Sequence, residues 1–509
     1  MYPAVEVNCY ESVNKQNITF TDIIPIIPKI PRQDNQLPND VPNILLLGVD
    51  SVSRLSFERH MIKLQKLFKE KNFHQLYGYN KVGDNTFPNM VPFYTGFHPT
   101  ELGFEYETFK GKFDDWPFVW KQYKKLGHIT MMGEVWPEAG TFNYFKPGFT
   151  DSPFDVNMRT WALAISPKVR DLMRDNGKET YKFCIGNQKE IQVYYNFTYD
   201  FIVEMDKQKS KYFASVFMGR MTHDSFNNPY FVDEPAYTLL SKLFNENRLD
   251  NTVVLFYSDH SLRYGYWLWN TLNGKIEARL PMMNIYLPPK FPKQFKISNL
   301  IKNKKRLTTA FDIHATLTNI AKGKSMKKKF LYGTSLFDEI SVNRTCEDAG
   351  IPIQLCGCGL PENIDDKRLE QVIGNVMIKN LNQLLKPIKS YCHELTLGEV
   401  KSLYLHTFPT SPTANVTVYT ATIQAEPSKG KFDAILRLDH REHQDNKDDK
   451  EIDDESKDSI VEKTLSNQDR IKVVGEITRT DKYGNQSHCI TPQVTKIYTL
   501  RNYCLCKDL

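Results

Sequence analysis

Acidic and histidine side chains directly follow four apolar runs of this chain. These side chains are Asp50, Glu134, the neighbours His223 and Asp224, and the neighbours Asp259 and His260. In an open α/β sheet, ligands bind beyond the carboxyl ends of the strands, so one rim would gather these groups. Carboxylates with an imidazole suit a divalent cation such as Zn²⁺ or Mn²⁺. A single member such as Asp50 could instead be a turn residue or a helix N-cap, so the metal prediction rests on all the positions together.

A hydroxyl that could act as a nucleophile lies in the segment Asn85-Thr86-Phe-Pro88-Asn, which precedes a helical stretch. Pro88 is compatible with the first turn of a helix, and Thr86 stands where an N-cap belongs. The free N–H groups and positive dipole end of a helix N-terminus bind phosphoryl or sulfuryl groups. A metal that touches the hydroxyl would lower its pKa and supply an alkoxide near neutral pH. The alternative is that Thr86 serves only as a cap.

Five short apolar runs predict the strands that would position these residues. The runs cover residues 44–49, 128–132, 213–218, 252–257 and 282–287. Near-continuous apolar strands are typical of a parallel sheet that is buried on both faces. Amphipathic helical stretches separate several of the runs and cover residues 57–71, 120–126, 237–249 and 310–321. Alternating strands and helices predict an α/β sandwich.

Three regions of different character follow one another along the chain. Prolines recur between positions 25 and 42, so residues 1–42 are predicted to form an irregular arm. Residues 43–345 are predicted to form the catalytic α/β domain, and residues 346–509 a smaller β-rich domain that contains cysteines. In that second domain we expect a helix at 367–385 and strands at 400–406, 414–424, 432–438, 471–478 and 494–498. A charged segment near 439–457 is predicted to be a solvated loop.

The composition limits the class of protein. The chain has 509 residues, of which 40% are hydrophobic and 25% charged, and its net charge of +6 is too dilute to indicate a nucleic-acid partner. No apolar run approaches the ~20 residues that a transmembrane helix needs, so we expect no transmembrane segment in this chain. The sequence contains Cys 9 times, without a CxxC pair, which favours disulfides over zinc sites and leaves one cysteine over.

Several N-x-S/T sequons agree with a secreted glycoprotein, although a chain rich in Asn contains some by chance. They are Asn17, Asn196, Asn343, Asn415 and Asn485. We therefore expect an extracellular or secretory-lumen location, with any signal peptide or N-terminal membrane anchor lying outside this sequence. The sequence leaves the oligomeric state open.

Six longer motifs carry a family resemblance. They are Asn43-Ile-Leu-Leu-Leu-Gly-Val-Asp-Ser-Val-Ser-Arg54, Gly78-Tyr-Asn-Lys-Val-Gly-Asp-Asn-Thr-Phe-Pro-Asn89, Gly140-Thr-Phe-Asn-Tyr144, Ser258-Asp-His260, Gly333-Thr-Ser-Leu-Phe337 and Tyr483-Gly-Asn-Gln-Ser-His-Cys489. With them the chain resembles the alkaline phosphatase superfamily, and within it the sulfatase-like animal family known as domain of unknown function 229. The resemblance implies a three-layer α/β/α sandwich. It does not fix the reaction, because the superfamily contains phosphatases, phosphodiesterases, sulfatases and phosphotransferases.

The resemblance also implies a role for each residue of the rim. Asp50, Asp259 and His260 look like the ligands of one metal ion. Thr86 looks like the nucleophile that also touches this metal. His223 is similar to a histidine that either binds a second metal ion or holds the substrate phosphate during catalysis.

A second metal ion would need another Asp and two His, for which the candidates are His223, Asp224 and His314. His314 lies in an amphipathic helical stretch, where simple packing is the alternative. We expect one tightly held metal, with a weaker second one as the alternative. Two positions are open. Ser261 stands where the common motif has Gly, which puts full activity in doubt, and Glu134 could be only a strand-end carboxylate.

The segment around the nucleophile discriminates between reactions. Sulfatases of the superfamily use a formylglycine made from Cys or Ser in a C/S-x-P-x-R motif, whereas this chain has Thr86 and, in place of the Arg, Met90. Ordinary sulfatase chemistry is therefore disfavoured, and the segment resembles that of the ectonucleotide pyrophosphatase/phosphodiesterases. The interpretation is a metal-dependent phosphoester hydrolase, similar to a phosphodiesterase, that acts through Thr86 and a phosphothreonine intermediate. The alternatives are a phosphoethanolamine-type transferase to a glycan or lipid hydroxyl, and a catalytically silent member that binds a ligand.

Overall fold

The computed structural model describes residues 4–10, 18–28, 41–105, 109–164, 184–185, 188–263, 265, 267–268, 271–323, 330–407, 416–439, 456–481, 484–491, 494 and 498–507. The chain divides into two compact units. The first comprises residues 1–262 and 277–351, and the second comprises residues 263–276 and 352–509. Within the described ranges, no helix is long and apolar enough to cross a membrane.

The strands and helices are numbered in chain order. The strands are β1 (Ala4–Tyr10), β2 (Ile18–Pro25), β3 (Asn43–Val49), β4 (His74–Gln75), β5 (Gly78–Tyr79), β6 (Ile129–Glu134), β7 (Val156–Asn157), β8 (Cys184–Ile185), β9 (Gln188–Lys189), β10 (Tyr212–Met218), β11 (Thr252–Tyr257), β12 (Met283–Tyr286), β13 (Leu307–Thr308), β14 (Leu360–Asn363), β15 (Thr396–Thr407), β16 (Val416–Glu426), β17 (Lys431–Asp439) and β18 (Lys472–Arg479). The helices are α1 (Arg54–His60), α2 (Ile62–Glu70), α3 (Thr86–Thr95), α4 (Val119–Lys125), α5 (Glu190–Gln208), α6 (Tyr230–Asn245), α7 (Leu272–Glu277), α8 (Ile297–Asn303), α9 (Ala310–Ala321), α10 (Lys367–Leu385) and α11 (Lys457–Ser466).

The first unit is built on a seven-stranded sheet in the order β4-β12-β11-β3-β10-β6-β7. The strands from β11 to β7 in this order run parallel, whereas β12 and β4 pair antiparallel. Leu45 and Leu47 of β3 belong to one hydrophobic core, and Ile44 and Leu46 to a second. Because alternate side chains of a strand point to opposite faces, the sheet has a core on each side. The predicted α/β sandwich is confirmed.

The second unit contains an antiparallel sheet in the order β14-β15-β16-β17-β18. α10 supplies Leu369, Ile373 and Met377 to a core that also includes side chains of this sheet. Two disulfides lie in the same unit and join Cys392 to Cys504 and Cys489 to Cys506. The predicted strand-rich, disulfide-bearing C-terminal region is therefore confirmed. Residues 440–455 of the charged segment lie outside the described residues.

The helix predicted at 57–71 is in fact two helices. α1 and α2 are separated by Met61, whose backbone has φ −109° and ψ 61°. The carboxylate of Asp233 on α6 accepts hydrogen bonds from the N–H groups of Lys63 (2.9 Å) and Leu64 (2.9 Å), so it caps the first turn of α2. This cap comes from a residue far along the chain, and the local apolar pattern therefore did not reveal the break.

Two other predictions also need correction. The N-terminal arm was predicted to be irregular, but β1 and β2 form an antiparallel hairpin. β2 ends at Pro25, the first of the recurring prolines, so the hairpin lies in the part of the arm that precedes most of them. A strand was predicted at 494–498, but Tyr498 begins a short 3-10 helix and residues 495–497 lie outside the described ranges.

Candidate active site

Neighbouring parallel strands carry two acidic residues to the same edge of the sheet. β3 and β11 pair with Gly48 opposite Tyr257. Asp50 and Asp259 each follow this pair by two positions, so both carboxylates lie at the carboxyl edge, where α/β sheets bind ligands. The ligand atoms of Asp50, Asp259 and His260 all lie within 4.8 Å of one another. These three residues are called the Asp-Asp-His cluster below.

The Asp-Asp-His cluster is almost completely buried. Asp50, Asp259 and His260 are 4%, 2% and 1% exposed. Nε2 of His260 lies 3.6 Å from Oδ1 of Asp50 and 3.3 Å from Oδ2 of Asp259. Within the described part of the chain, Oδ2 of Asp259 is buried without a hydrogen-bond partner. Two buried carboxylates are costly unless a cation compensates them, so burial and donor set both fit Zn²⁺ or Mn²⁺.

The hydrogen bonds of His260 select the form of its ring that can bind a metal. Nδ1 lies 2.8 Å from the carbonyl oxygen of Ser261. Because a carbonyl oxygen only accepts, Nδ1 must donate, and the lone pair of the neutral ring is then on Nε2, which faces the two carboxylates. The hydroxyl of Ser258 donates to the carbonyl of His260 (2.8 Å) and accepts from the N–H of Val52 (2.9 Å). These bonds fix the loop that carries the imidazole.

Ser51 holds both carboxylates from a strained backbone position. Its φ of 61° lies in the left-handed region, which costs a residue with a side chain of the order of 1–3 kcal/mol. In return, its hydroxyl donates to Oδ1 of Asp50 (2.7 Å), and its N–H donates to Oδ1 of Asp259 (3.3 Å). Such strain persists where the surroundings enforce it, often at functional sites. The serines beside the two aspartates, Ser51 and Ser258, were not singled out as site residues from the sequence.

Ser261 does not introduce backbone strain here. The described residues with a positive φ do not include Ser261. Its hydroxyl is buried and donates to the carbonyl oxygen of Glu277 at 2.9 Å. The serine in place of the usual glycine was expected to count against full activity, but this backbone does not need the conformational freedom of a glycine at that position.

Thr86 begins α3 at the same edge of the sheet. The helix packs on the sheet through Phe93, whose ring stacks on that of Tyr257 at 4.7 Å. At its first turn, Phe87 contacts Phe142 with a ring-centroid distance of 6.1 Å. Phe142 directly follows Thr141, which is bound to Glu134 at the carboxyl end of β6. The first turn of α3 therefore lies near the loop that Glu134 holds at the carboxyl end of β6.

Thr86 is the first helical residue, and not the N-cap that we expected. Asn85 occupies the N-cap position, with φ −120° and ψ 171°. Thr86 is half-buried, and its hydroxyl belongs to a turn whose N–H groups have no partner within the helix. The positive end of the helix dipole is thus at the candidate nucleophile, which favours bound anions. Its roles as nucleophile and metal ligand stay predictions.

Asn89 fixes the loop that leads to Thr86. Its Oδ1 accepts hydrogen bonds from the N–H groups of Val82 (2.8 Å) and Gly83 (3.1 Å). Its Nδ2 donates to the carbonyl oxygens of Gly83 (2.7 Å) and Asn85 (2.8 Å). Asn89 is 2% exposed. Water therefore has little access to these backbone groups and cannot readily replace the side chain as their hydrogen-bond partner.

Asn89→Ala is expected to lower the free energy of unfolding by about 2–4 kcal/mol, because several buried backbone groups would lose their partner. Chemical denaturation measures this loss. Turnover should also fall, since the loop would no longer position Thr86. Asn375→Ala on the exposed face of α10 is the control and should change stability by less than about 0.5 kcal/mol. An Asn89 variant as stable as the wild type would contradict the assigned role.

The candidates for a second metal site are not part of the Asp-Asp-His cluster. Nδ1 of His223 lies 2.7 Å from Oδ1 of Asp224, whose side chain is 48% exposed. His314 is buried on α9 beside Gly96, which ends α3. Since α3 rises about 1.5 Å per residue, this end lies about 15 Å along the helix from Thr86. The structure therefore places His314 at the end of α3 that is far from Thr86, where it packs against Gly96. It pairs His223 with Asp224.

Glu134 binds the segment that follows β6. Its Oε1 accepts hydrogen bonds from the N–H (2.7 Å) and the hydroxyl (2.6 Å) of Thr141. Burial raises the pKa of the Glu134 carboxyl, and the two hydrogen bonds from Thr141 oppose that rise. Glu134 is therefore a strand-end carboxylate that organises the segment after β6.

Most of the chain matches a known family. A family model described as Protein of unknown function (DUF229) matches residues 3–401. The chain belongs to this family. The assignment made from the sequence motifs is therefore confirmed. No curated protein matches the sequence significantly.

Solved structures with a similar fold include enzymes and a protein of the alkaline phosphatase superfamily. The superfamily protein, from Vibrio parahaemolyticus, is 12% identical with a TM-score of 0.42, and the match covers 87% of this chain and 94% of that one. Lipoteichoic acid synthase LtaP from Listeria monocytogenes is 14% identical (TM-score 0.37; 58% and 75% covered). The PsFucS1 sulfatase from Pseudoalteromonas sp. is 16% identical (TM-score 0.37; 59% and 70% covered). At these identities the similarity concerns the fold alone.

Proposed function

We propose that this protein is a metal-dependent phosphoester hydrolase that uses Thr86 as its nucleophile. The observation that supports this most directly is the buried Asp-Asp-His cluster, in which an oxygen of Asp259 lacks a hydrogen-bond partner among the described residues. Asp50, Asp259 and His260 would hold a Zn²⁺ or Mn²⁺ ion together with Thr86. When bound, the ion would lower the pKa of a hydroxyl and stabilise negative charge on phosphoryl oxygens.

The reaction of the chain's own groups would take place in two in-line steps. Oγ of Thr86 attacks phosphorus, and the ester oxygen leaves, which gives a phosphothreonine. Water then attacks the same phosphorus and the bond to Oγ of Thr86 breaks, so a phosphodiester yields a phosphomonoester and a phosphomonoester yields inorganic phosphate. The N–H groups of the first turn of α3 face the charge that develops on the non-bridging oxygens in both steps.

The acceptor in the second step separates a hydrolase from a transferase. A glycan or lipid hydroxyl in place of water would make the protein a phosphoethanolamine-type transferase, in which Thr86 would carry the phosphoethanolamine group between the two steps. A catalytically silent protein would hold a ligand at this rim without forming it. A formylglycine sulfatase is disfavoured because Thr86 has no route to the aldehyde.

We also propose a secretory or extracellular location. The two disulfides of the second unit are typical of proteins from oxidising compartments. The sequons at Asn196, Asn343 and Asn485 are all exposed, as glycan attachment requires. Asn17 and Asn415 lie outside the described residues.

A panel of chromogenic esters tests the proposal. A phosphodiester, a phosphomonoester and a sulfate ester would be incubated with the protein, with Zn²⁺ or Mn²⁺ added and again after treatment with EDTA. We expect turnover of a phosphoester that EDTA abolishes and added metal restores. Turnover of the sulfate ester alone would contradict the proposal. If no ester is turned over, phosphothreonine formed from a lipid- or glycan-linked phosphoethanolamine donor separates a transferase from a silent binding protein.

A further inference from the structure

A lysine that the function proposed above does not use lies beside the first turn of α3. Nζ of Lys146 is 4.6 Å from the centroid of the Phe87 ring, and Phe87 directly follows Thr86. The same ammonium donates a hydrogen bond to the carbonyl oxygen of Tyr144 at 2.9 Å. It also interacts electrostatically with Glu134, at the carboxyl end of β6. Lys146 therefore bridges the helix that carries the nucleophile and the rim of the sheet.

The surroundings of Lys146 strengthen its interaction with anions. Partial removal from water lowers the pKa of the Lys146 ammonium to about 8, and the negative charge of Glu134 opposes this shift. A cation that has lost part of its hydration shell interacts with an anion more strongly than a fully solvated one. The carboxylate of Glu134 also accepts two hydrogen bonds from Thr141, so Lys146 is not the only group that interacts with its negative charge.

The backbone before Lys146 is strained in a way that turns this side chain inward. Phe145 has φ 51°, in the left-handed region that bulky residues rarely adopt. Tyr144 and Phe145 are 48% and 58% exposed, whereas Lys146 is half-buried. Such strain persists only where the surroundings enforce it, and it is common at binding sites. Here it places two aromatic rings in solvent and the ammonium beside α3.

We propose that Lys146 is a substrate-binding residue whose ammonium holds the anionic oxygens of the ester at Thr86. The inference rests on the proposed function, because Thr86 makes this turn the reacting position. The carboxylates of Asp50 and Asp259 would offset the charge of the ion that they hold, so the charge of a phosphate ester at this rim needs further compensation. Lys146 and the N-terminus of α3 supply the opposing positive charge. Lys146 transfers no proton in either step of the reaction.

Lys146→Met, with Lys146→Arg as the charge-preserving control, tests this proposal. We expect kcat/KM for the phosphoester to fall by about 100-fold in the Met variant, the size of effect seen on removing one charge-stabilising donor. The Arg variant should recover most of this loss. Inhibition by inorganic phosphate should weaken in the Met variant, while metal content and unfolding midpoint stay as in the wild type.

The pH profile of kcat/KM gives a readout that a purely structural role would not change. The Lys146 ammonium loses its proton as pH rises through about 8, so the wild-type kcat/KM should fall above this pH. Glu134 is the ionisable neighbour whose negative charge acts on Lys146. In Lys146→Arg the fall should move to higher pH, because a guanidinium keeps its proton. If the Met variant does not fold, this shift decides the question.

The possible failures can be told apart. An unchanged kcat/KM and phosphate inhibition in Lys146→Met, with an inactive Thr86→Ala, would overturn the role of Lys146 and leave the proposed function standing. If the wild type turns over no ester, the proposed function fails, and thermal stabilisation by inorganic phosphate decides about Lys146. Stabilisation that Lys146→Met loses supports the anion site. Equal stabilisation, or none in either protein, overturns it.

Discussion

Thr86→Ala is expected to abolish ester turnover, with kcat lower by about 10⁴-fold or more, because the variant lacks the oxygen that attacks phosphorus. Acid-quenched wild type incubated with substrate should contain phosphate on Thr86, which mass spectrometry of the peptide detects. The Ala variant should contain none. Its fold and its Asp-Asp-His cluster stay intact, so it should still bind metal, with an affinity reduced by the loss of one ligand.

Two controls define the role of the hydroxyl. Thr86→Ser keeps an oxygen at the same place and should keep measurable turnover. Thr95→Ala removes a hydroxyl from the other end of α3, where it donates to the carbonyl of Val91 at 2.7 Å. Because this hydrogen bond is lost, Thr95→Ala should lower the free energy of unfolding and leave kcat near the wild-type value. Turnover by Thr86→Ala at a rate close to the wild type would exclude Thr86 as the nucleophile.

Asp259→Asn is expected to remove the metal, because it deletes the charge of a buried carboxylate and keeps its shape. Zinc or manganese measured after dialysis should fall from about one ion per chain to near zero, and turnover should be lost with it. Asp259→Asn should raise the thermal stability of the metal-free protein and lower the stability measured with metal added. Without metal the variant should unfold at a higher temperature than the wild type, since it buries one uncompensated charge fewer.

Added metal then separates the two proteins. The wild type should gain stability with metal concentration, by about 4 kcal/mol at 1,000 times the dissociation constant, and Asp259→Asn should not. Asp224→Asn is the matched control, because this carboxylate is exposed and lies outside the cluster. The Asp224→Asn variant should keep the ion held by the Asp-Asp-His cluster. If Asp224→Asn lowers the content from two ions to one, Asp224 belongs to a second site. A wild type that gains no stability from Zn²⁺ or Mn²⁺ would exclude the metal centre.

The sequence alone was sufficient for the fold class and the cluster. β3 and β11 were recognisable as buried strands because their residues are almost all apolar, and this reflects burial on both faces of a sheet. Once both are parallel strands of one sheet, the side chains just beyond their carboxyl ends must share an edge. Asp50 and Asp259 were therefore placed together without any tertiary information. The Thr86 hydroxyl and Pro88 also located the start of α3 to within one residue, since the N-cap is Asn85.

The tertiary structure decided everything that depends on contacts between distant segments. Asp233 breaks the helix predicted at 57–71 because it caps α2 from another helix. The apolar pattern around His314 allowed either packing or a ligand role, and only the neighbouring Gly96 shows where its ring lies. Lys146 carries no sequence signal, because its position depends on the strained turn at Phe145 and on the Phe87 ring. Periodicity reports which face of an element is buried, but the partner across that face is fixed only when the chain folds.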